Sequence, residues 1–522
     1  MNPSSSRREF LANVSRATVL ATVGTGLVTE LGIAPAIASE ASNTLEFGSL
    51  EPLVRLMQDT PADKLLPKLA AKLSSGTDLR QLTAAAALAN ARTFGGEDYI
   101  GFHTMMALSP AWHMSGELPS EQQALPVFKV LYRNTNRIQE FGGRAKEVLH
   151  PVEPVALKKG LSGADAIRNA VHKKNTAYAE GALATLVQRS PDEAFNSLLH
   201  TVQDKSEVHR VVMPYRAWDL LDLVGTEHAH TMLRQSVRYC VRAESWRKPA
   251  WDEPQNLLVK LLDEYKLLSR PIGKREADDK WVDQLSQTIF KSSAAQAAES
   301  VAAALADGFA PEAIGEAISL AANQLVLRDH GRRPREEVTG KPIGSVHGDS
   351  IGVHACDSAN AWRNMSRVTN ARNRVACLIL GAHQVAHDRV DRGGDFLNWE
   401  ALPVKWHSNK VNSKDAKVLL REAEEAIRGN LQAHAAAIVH QYGELGHSAR
   451  PMFDLMLRYA ISEDGALHAE KYYRTTSDEF ATTRPAYRWR QLIALARVTA
   501  SEYGRPAAGV AEARELLKLP TA

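Results

Sequence analysis

Cysteine is almost absent: Cys240, Cys356 and Cys377 are the only three in 522 residues, with no C-x-x-C pair and no C-x-x-C-H run. That scarcity excludes a disulfide framework, a thiolate zinc site and covalently attached haem, so any bound metal must be held by histidine and carboxylate. Long apolar runs are missing as well. The stretch Ala17 to Val28 falls short of the ~18 residues that a membrane span needs, and no later stretch reaches that length, so no stable membrane insertion is expected. Period-2 alternation of apolar residues is nearly absent, which removes sheets from the expected architecture. The chain also lacks G-x-G-x-x-G, G-x-x-x-x-G-K-[ST] and H-E-x-x-H, the usual anchors of nucleotide-binding and zincin chemistry. A formal net charge of +3 argues against nucleic acid as the main partner.

What is present starts with an address. Ser6-Arg7-Arg8-Glu9-Phe10-Leu11 precedes the apolar run, and Ala36-Ile37-Ala38 supplies an A-x-A cleavage site. Residues 1–38 are therefore expected to be a twin-arginine signal, engaging the twin-arginine export machinery and leaving a periplasmic or secreted protein after cleavage near Ala38. Cleavage removes three arginines and two glutamates, so the charge falls from +3 to +2. Export by this route carries folded proteins, which raises the expectation of a cofactor loaded before transport.

Alanine and leucine dominate the rest, with helix starts written into the sequence. Ser190-Pro191-Asp192-Glu193 combines a cap, a proline at the first helical position and two acids at the positive end of the dipole. Thr77-Asp78 before Leu79 and Pro311-Glu312 before Ile314 repeat the signal. Breaks near Lys205 and Gly225-Thr226 divide Asp192 to Arg242 into three helices. The expected fold is all-α, stacked helical hairpins in a solenoid-like or multi-helix bundle arrangement. The expected organisation is an N-terminal helical part over 39–245, a connection over 246–279, and a C-terminal helical part over 280–522 that carries a histidine-rich segment.

Eighteen histidines are the main chemical signal, and many fall in clusters. His383 and His387, four apart in an apolar helix, share a face and can present two imidazoles to one metal. The plainer alternative buries one against a backbone partner and leaves the other wet beside Asp388. The segment Ser345 to Arg363 gathers ligand-capable side chains among small residues. If it is helical, His347, His354 and Asp357 fall near one face, with His354 as ligand or base and Asp357 orienting it. Close packing by small residues is the structural alternative. His103 and His113, in a setting rich in Met and Trp, are candidates for metal or axial haem ligation or for simple core positions. Glu227-His228-Ala229-His230, Glu147 to His150 and Glu444 to His447 share the Glu-x-x-His spacing of di-iron bundles. The basic run Arg328, Arg332, Arg333 and Arg335 suits either an anionic substrate or a solvated turn.

His354-Ala355-x-Asp357-Ser358-Ala359-Asn360-Ala361 resembles a motif of exported, helical, histidine-rich proteins of planctomycete-type bacteria. Gly101-Phe102-His103 with His113, and Trp218-Asp219-Leu220-Leu221 followed by Glu227-His228-Ala229-His230, fit the same family in order and spacing between about residues 90 and 500. The resemblance implies a helical, exported protein and no particular reaction. A more distant likeness, on histidine-rich helices, is to questin oxidase-like proteins, and it implies oxygen-dependent oxidation of an organic substrate.

The expected function is a metal- or haem-dependent oxidoreductase acting on a small-molecule substrate. Its metal ion, iron, copper or zinc, would draw ligands from His103, His113, His228, His230, His354 and His383, with His354 and Asp357 catalytic. Two alternatives stand beside it. One is a non-catalytic helical scaffold binding a peptide or glycan; the other is a metal-independent hydrolase or lyase built on a His354–Asp357 base.

Overall fold

The computed structural model describes residues 44–520; the expected signal over residues 1–38 lies outside them. From Thr44 onward the chain is one compact unit, so the boundary expected near residue 245 falls inside it. All regular structure among the described residues is helical, apart from three isolated bridges.

Two of the three expected helix starts are realised by side-chain hydrogen bonds, while the helix beginning at Pro311 has no side-chain cap. Asp78 and Gln81 form a reciprocal capping box at the start of α1 (Leu79–Phe94). Ser190 accepts from the amides of Asp192 and Glu193. The site depends on four hairpins, each a helix and the next long helix in the chain. They are α2 (Tyr99–Ser115) with α3 (Ala124–Phe141) and α4 (Val208–Asp219) with α5 (Ala229–Ala243). A further helix, α6 (Pro311–Arg328), precedes the third, α7 (Ile351–Val368) with α8 (Ala371–Arg392). The fourth is α9 (His468–Thr482) with α10 (Trp489–Glu502).

In each hairpin the second helix packs on the first, and the four first helices close a ring: α2 on α4, α4 on α7, α7 on α9, and α9 back on α2. This ring draws two helices from each expected half of the chain, which is why the halves do not separate. The second helices, with α1 against α2 and α6 against α7, form an outer layer. Those outer contacts bury continuous apolar surface. Leu82, Leu88, Leu320, Leu325, Leu378 and Leu380 are all fully buried, each contributing about 1.5–3 kcal/mol relative to exposure. The backbones of α6 and α7 approach closely because residue 352 is glycine: a Cβ there would meet Val326 N at 2.8 Å and Leu325 C at 2.9 Å.

The ring interior is polar. Thr475 donates to Asp357 at 2.8 Å, Asn360 donates to Glu479 at 2.9 Å, and Arg363 pairs with Glu479. Buried polar groups satisfied across helices fix rotation and register as well as contributing energy.

Candidate functional site

Each inner helix carries a histidine near its N-terminal end: His103, His209, His354 and His468, the last at the first residue of α9. The four imidazoles meet where those helix ends meet. His103 Nε2 lies 3.3 Å from His209 Nε2, and His354 Nε2 lies 3.1 Å from His468 Nε2. Ring centroids are 4.9 Å apart for His103–His209, 5.2 Å for His354–His468, 5.2 Å for His103–His468 and 5.9 Å for His209–His354. Among the described residues no three His, Cys, Asp or Glu side chains already enclose a metal-binding point; the rings approach as two close pairs.

The partners of the other ring nitrogens fix tautomers. His103 Nδ1 is 2.7 Å from the Tyr99 carbonyl, His209 Nδ1 is 2.8 Å from a Glu207 carboxylate oxygen, and His468 Nδ1 is 3.1 Å from the Ala466 carbonyl. A carbonyl or carboxylate oxygen only accepts, so these Nδ1 atoms carry the protons and, in neutral rings, the Nε2 atoms carry lone pairs. If both rings are neutral, His103 and His209 face each other lone pair to lone pair.

The surroundings keep most of these rings neutral. Burial pushes the His103 imidazole well below its ordinary pKa, helped by the Lys471 ammonium and His209. Burial, then His209 and Lys471, hold His354 down at about 3, and burial with Lys471 keeps His468 far below 6.5. Four helix N-termini add positive potential at the same place. Lys471 is itself brought down to about 8 by burial, against the pull of Asp357 and Glu470.

Glu207 anchors one corner. Its carboxylate accepts from the His209 amide and ring, the Arg210 amide and the Tyr239 hydroxyl, capping α4 and orienting the imidazole. Burial alone would raise this carboxyl, but the bonds from His209 and Tyr239 prevail and hold it at about 2. At the opposite corner the chain enters α9 through Gly465, Ala466 and Leu467, with φ of 46°, 48° and 66°. Left-handed backbone at Ala466 and Leu467 costs about 1–3 kcal/mol each, and it aims the Ala466 carbonyl at His468. Residue 348 must be glycine here, because a Cβ would lie 2.3 Å from His468 Cβ. Tyr99, 60% exposed, sits 4.4 Å from the His103 ring and marks the side open to solvent.

The candidates named from sequence are dispersed differently. His103 and His354 belong to the cluster. His113, on the same helix as His103 but ten residues on, is about 15 Å further along the axis and feels Arg474, Asp219 and Arg216 instead. His228 packs edge-on to Phe47 at 5.5 Å, and His230 donates to the Glu180 carbonyl at 3.0 Å. His383 bonds Glu253 at 2.8 Å, with His387 stacked beside it at 6.2 Å. None of these five joins the cluster. Asp357 lies inside the ring, but it accepts from Thr475 and makes no hydrogen bond to His354 among the described residues. His347 precedes α7 rather than sharing its face. His209 and His468 complete the set, and Glu207 two residues before His209 is the local sequence signal for the first.

Gly348-Asp349-Ser350-Ile351-Gly352 has the G-x-S-x-G spacing of a hydrolase nucleophile elbow. It follows a loop rather than a strand, and the Ser350 oxygen is spent accepting from the Val353 amide as the cap of α7. No protein-family model, no curated protein and no solved structure matches the chain.

Proposed function

We propose that the chain is an exported, metal-dependent oxidoreductase whose centre is one metal ion held by Nε2 of His103, His209, His354 and His468. The observation that carries it is the His103–His209 contact. Two facing Nε2 atoms at 3.3 Å need a metal ion or a proton between them, and three of the four rings already spend their Nδ1 protons elsewhere. The spacing supports the same reading: four nitrogens placed tetrahedrally at ~2.0 Å from an ion are about 3.3 Å apart. Their ring centroids would be about 5 Å apart, against 4.9–5.9 Å here. A cation would draw the two close pairs into one set.

Glu207 behind His209 and the carbonyls behind His103 and His468 supply the outer partners that metal-bound imidazoles ordinarily have. Rings this close leave no slot for a porphyrin, which favours a bare ion over haem. Neutral nitrogen donors suit copper, iron or zinc. Redox chemistry is favoured over hydrolysis because Glu207 is already engaged by four donors, and no other carboxylate among the described residues hydrogen-bonds an imidazole of the cluster. Four imidazoles bring no negative charge, so the centre keeps the ion's full charge and favours its lower oxidation state.

Metal analysis and an absorption spectrum of protein recovered from its own compartment test the proposal. One equivalent of copper or iron, lost in His103→Ala and His468→Ala variants that still fold, is expected. Metal-free protein that retains activity would leave a proton between His103 and His209 as the better account. Stoichiometric zinc would keep the site and discard the redox assignment.

A further inference from the structure

Behind His468 lies a pocket of about 100 Å³, lined by Lys341, His347, Gly348, Asp349, Glu502 and Arg505, among others. That is room for several waters or one small organic anion. It shares a wall with the histidine cluster: Gly348 packs on His468 Cβ, and Ala466, whose carbonyl takes the His468 ring proton, also lines the pocket. The charge of Asp349 is felt at His354 and at Tyr99 on the open side of the cluster.

The acids around the pocket are already matched. Asp349 takes both Arg332, at 2.7 and 2.8 Å, and Lys341; Asp464 takes Arg133 at 3.3 Å. Glu502 accepts the Gly348 amide at 2.8 Å, and burial raises its carboxyl to about 7, which makes it half neutral there. Two donors are left over. The Arg505 guanidinium lies flat on Gly340, whose missing Cβ makes room for it, and no carboxylate among the described residues pairs with it. His347 is 2% exposed, and its Nε2 has no partner; its Nδ1 stands 3.9 Å from Glu502. Of the two, Arg505 is the one part exposed, and its unpaired guanidinium is free to take an anion.

We infer that this pocket binds the carboxylate of a small organic acid, gripped by the Arg505 fork, with the rest of the molecule directed toward the histidine cluster. The planar fork of arginine matches a planar carboxylate in two parallel hydrogen bonds. A doubly charged phosphate would need more free cation than Arg505 alone supplies. The inference rests on the proposed centre for its link to catalysis and not for the binding itself, so the substrate class it names is a small carboxylic acid.

The test is calorimetric titration of acetate into the full chain, as purified and again after chelator treatment, at ionic strength fixed with chloride. Inorganic phosphate is the second probe. Acetate is expected to bind both preparations. Arg505→Gln should weaken it at least about tenfold, the loss of one charged bidentate contact, while Arg335→Gln on the neighbouring surface turn leaves it unchanged. Should Arg505→Gln fail to fold by circular dichroism, Arg505→Lys keeps the charge, removes the fork and should still weaken acetate severalfold. The inference is overturned if acetate does not bind, if phosphate binds in its place, or if the folded Arg505 variant binds as well as the parent. Acetate binding in a chain shown to hold no metal would remove the proposed centre and leave the pocket; metal without acetate binding would do the reverse.

Discussion

Replacing Glu207 by alanine removes four hydrogen bonds from one side chain, and the structure sets the scale of the loss. The α4 cap is worth about 1 kcal/mol. The Tyr239 hydroxyl and His209 ring N–H each lose a charged acceptor, at about 1–3 kcal/mol apiece when fully buried. About a third of the Glu207 side chain is exposed, so water enters the gap and the low end applies. The expected total is about 2–3 kcal/mol in urea denaturation. His209 is then free to rotate, and metal affinity in chelator competition should fall about 10–100-fold. Glu207→Gln keeps an acceptor oxygen, so it should lose less stability while still weakening the metal. The acid limb gives an independent sign. The folded carboxyl sits at about 2, below its ordinary 4.5, so its stabilisation is complete above about pH 4.5 and fades as pH falls toward 2. Glu207→Ala should lack that component. A variant losing under about 0.5 kcal/mol, with unchanged metal affinity, would refute the role given to Glu207.

Glu502 titrates with the opposite sign. Its carboxyl is raised to about 7 by burial, so the folded state holds a proton that the unfolded state releases above pH 4.5. Its stabilisation is greatest below about pH 4.5 and is lost as pH rises to 7, and Glu502→Gln should flatten that part of the stability–pH curve. Lys129 on α3 pairs with Glu470 at 2.7 Å and donates to the Ala460 and Glu463 carbonyls, all buried. Lys129→Met should cost about 3–5 kcal/mol in thermal or urea unfolding, and Lys129→Met with Glu470→Leu should recover most of it. His228→Ala, His230→Ala and His383→Ala should retain metal stoichiometry in elemental analysis, since their rings bond elsewhere. Replacing Arg7 and Arg8 by lysine should leave the chain in the cytoplasm by fractionation.

Helix starts were legible because their causes lie within four residues: Asp78 with Gln81, Ser190 with Asp192 and Glu193. Ring closure was not, because it rests on contacts between residues such as 103 and 468 that no local pattern encodes. The same limit governed the site. His383 and His387 share a face as their spacing says, but spacing does not reveal that the face meets Glu253. His209 stands outside the sequence clusters, so its place in the centre emerges only when α4 packs between α2 and α7. The segment from Ser345 to Arg363 contributes to both the ring and the cluster. Gly348 admits His468, Ser350 starts the helix, His354 joins the cluster and Asp357 meets Thr475.

X-ray absorption at the edge of the metal found in the purified chain tests the central claim most directly. A first shell of nitrogen at ~2.0–2.1 Å with the outer-shell scattering of several imidazoles is expected, reduced in His209→Ala and unaltered in His383→Ala. A shell of oxygen or sulfur, a spectrum indifferent to His209, or no metal at all would contradict it.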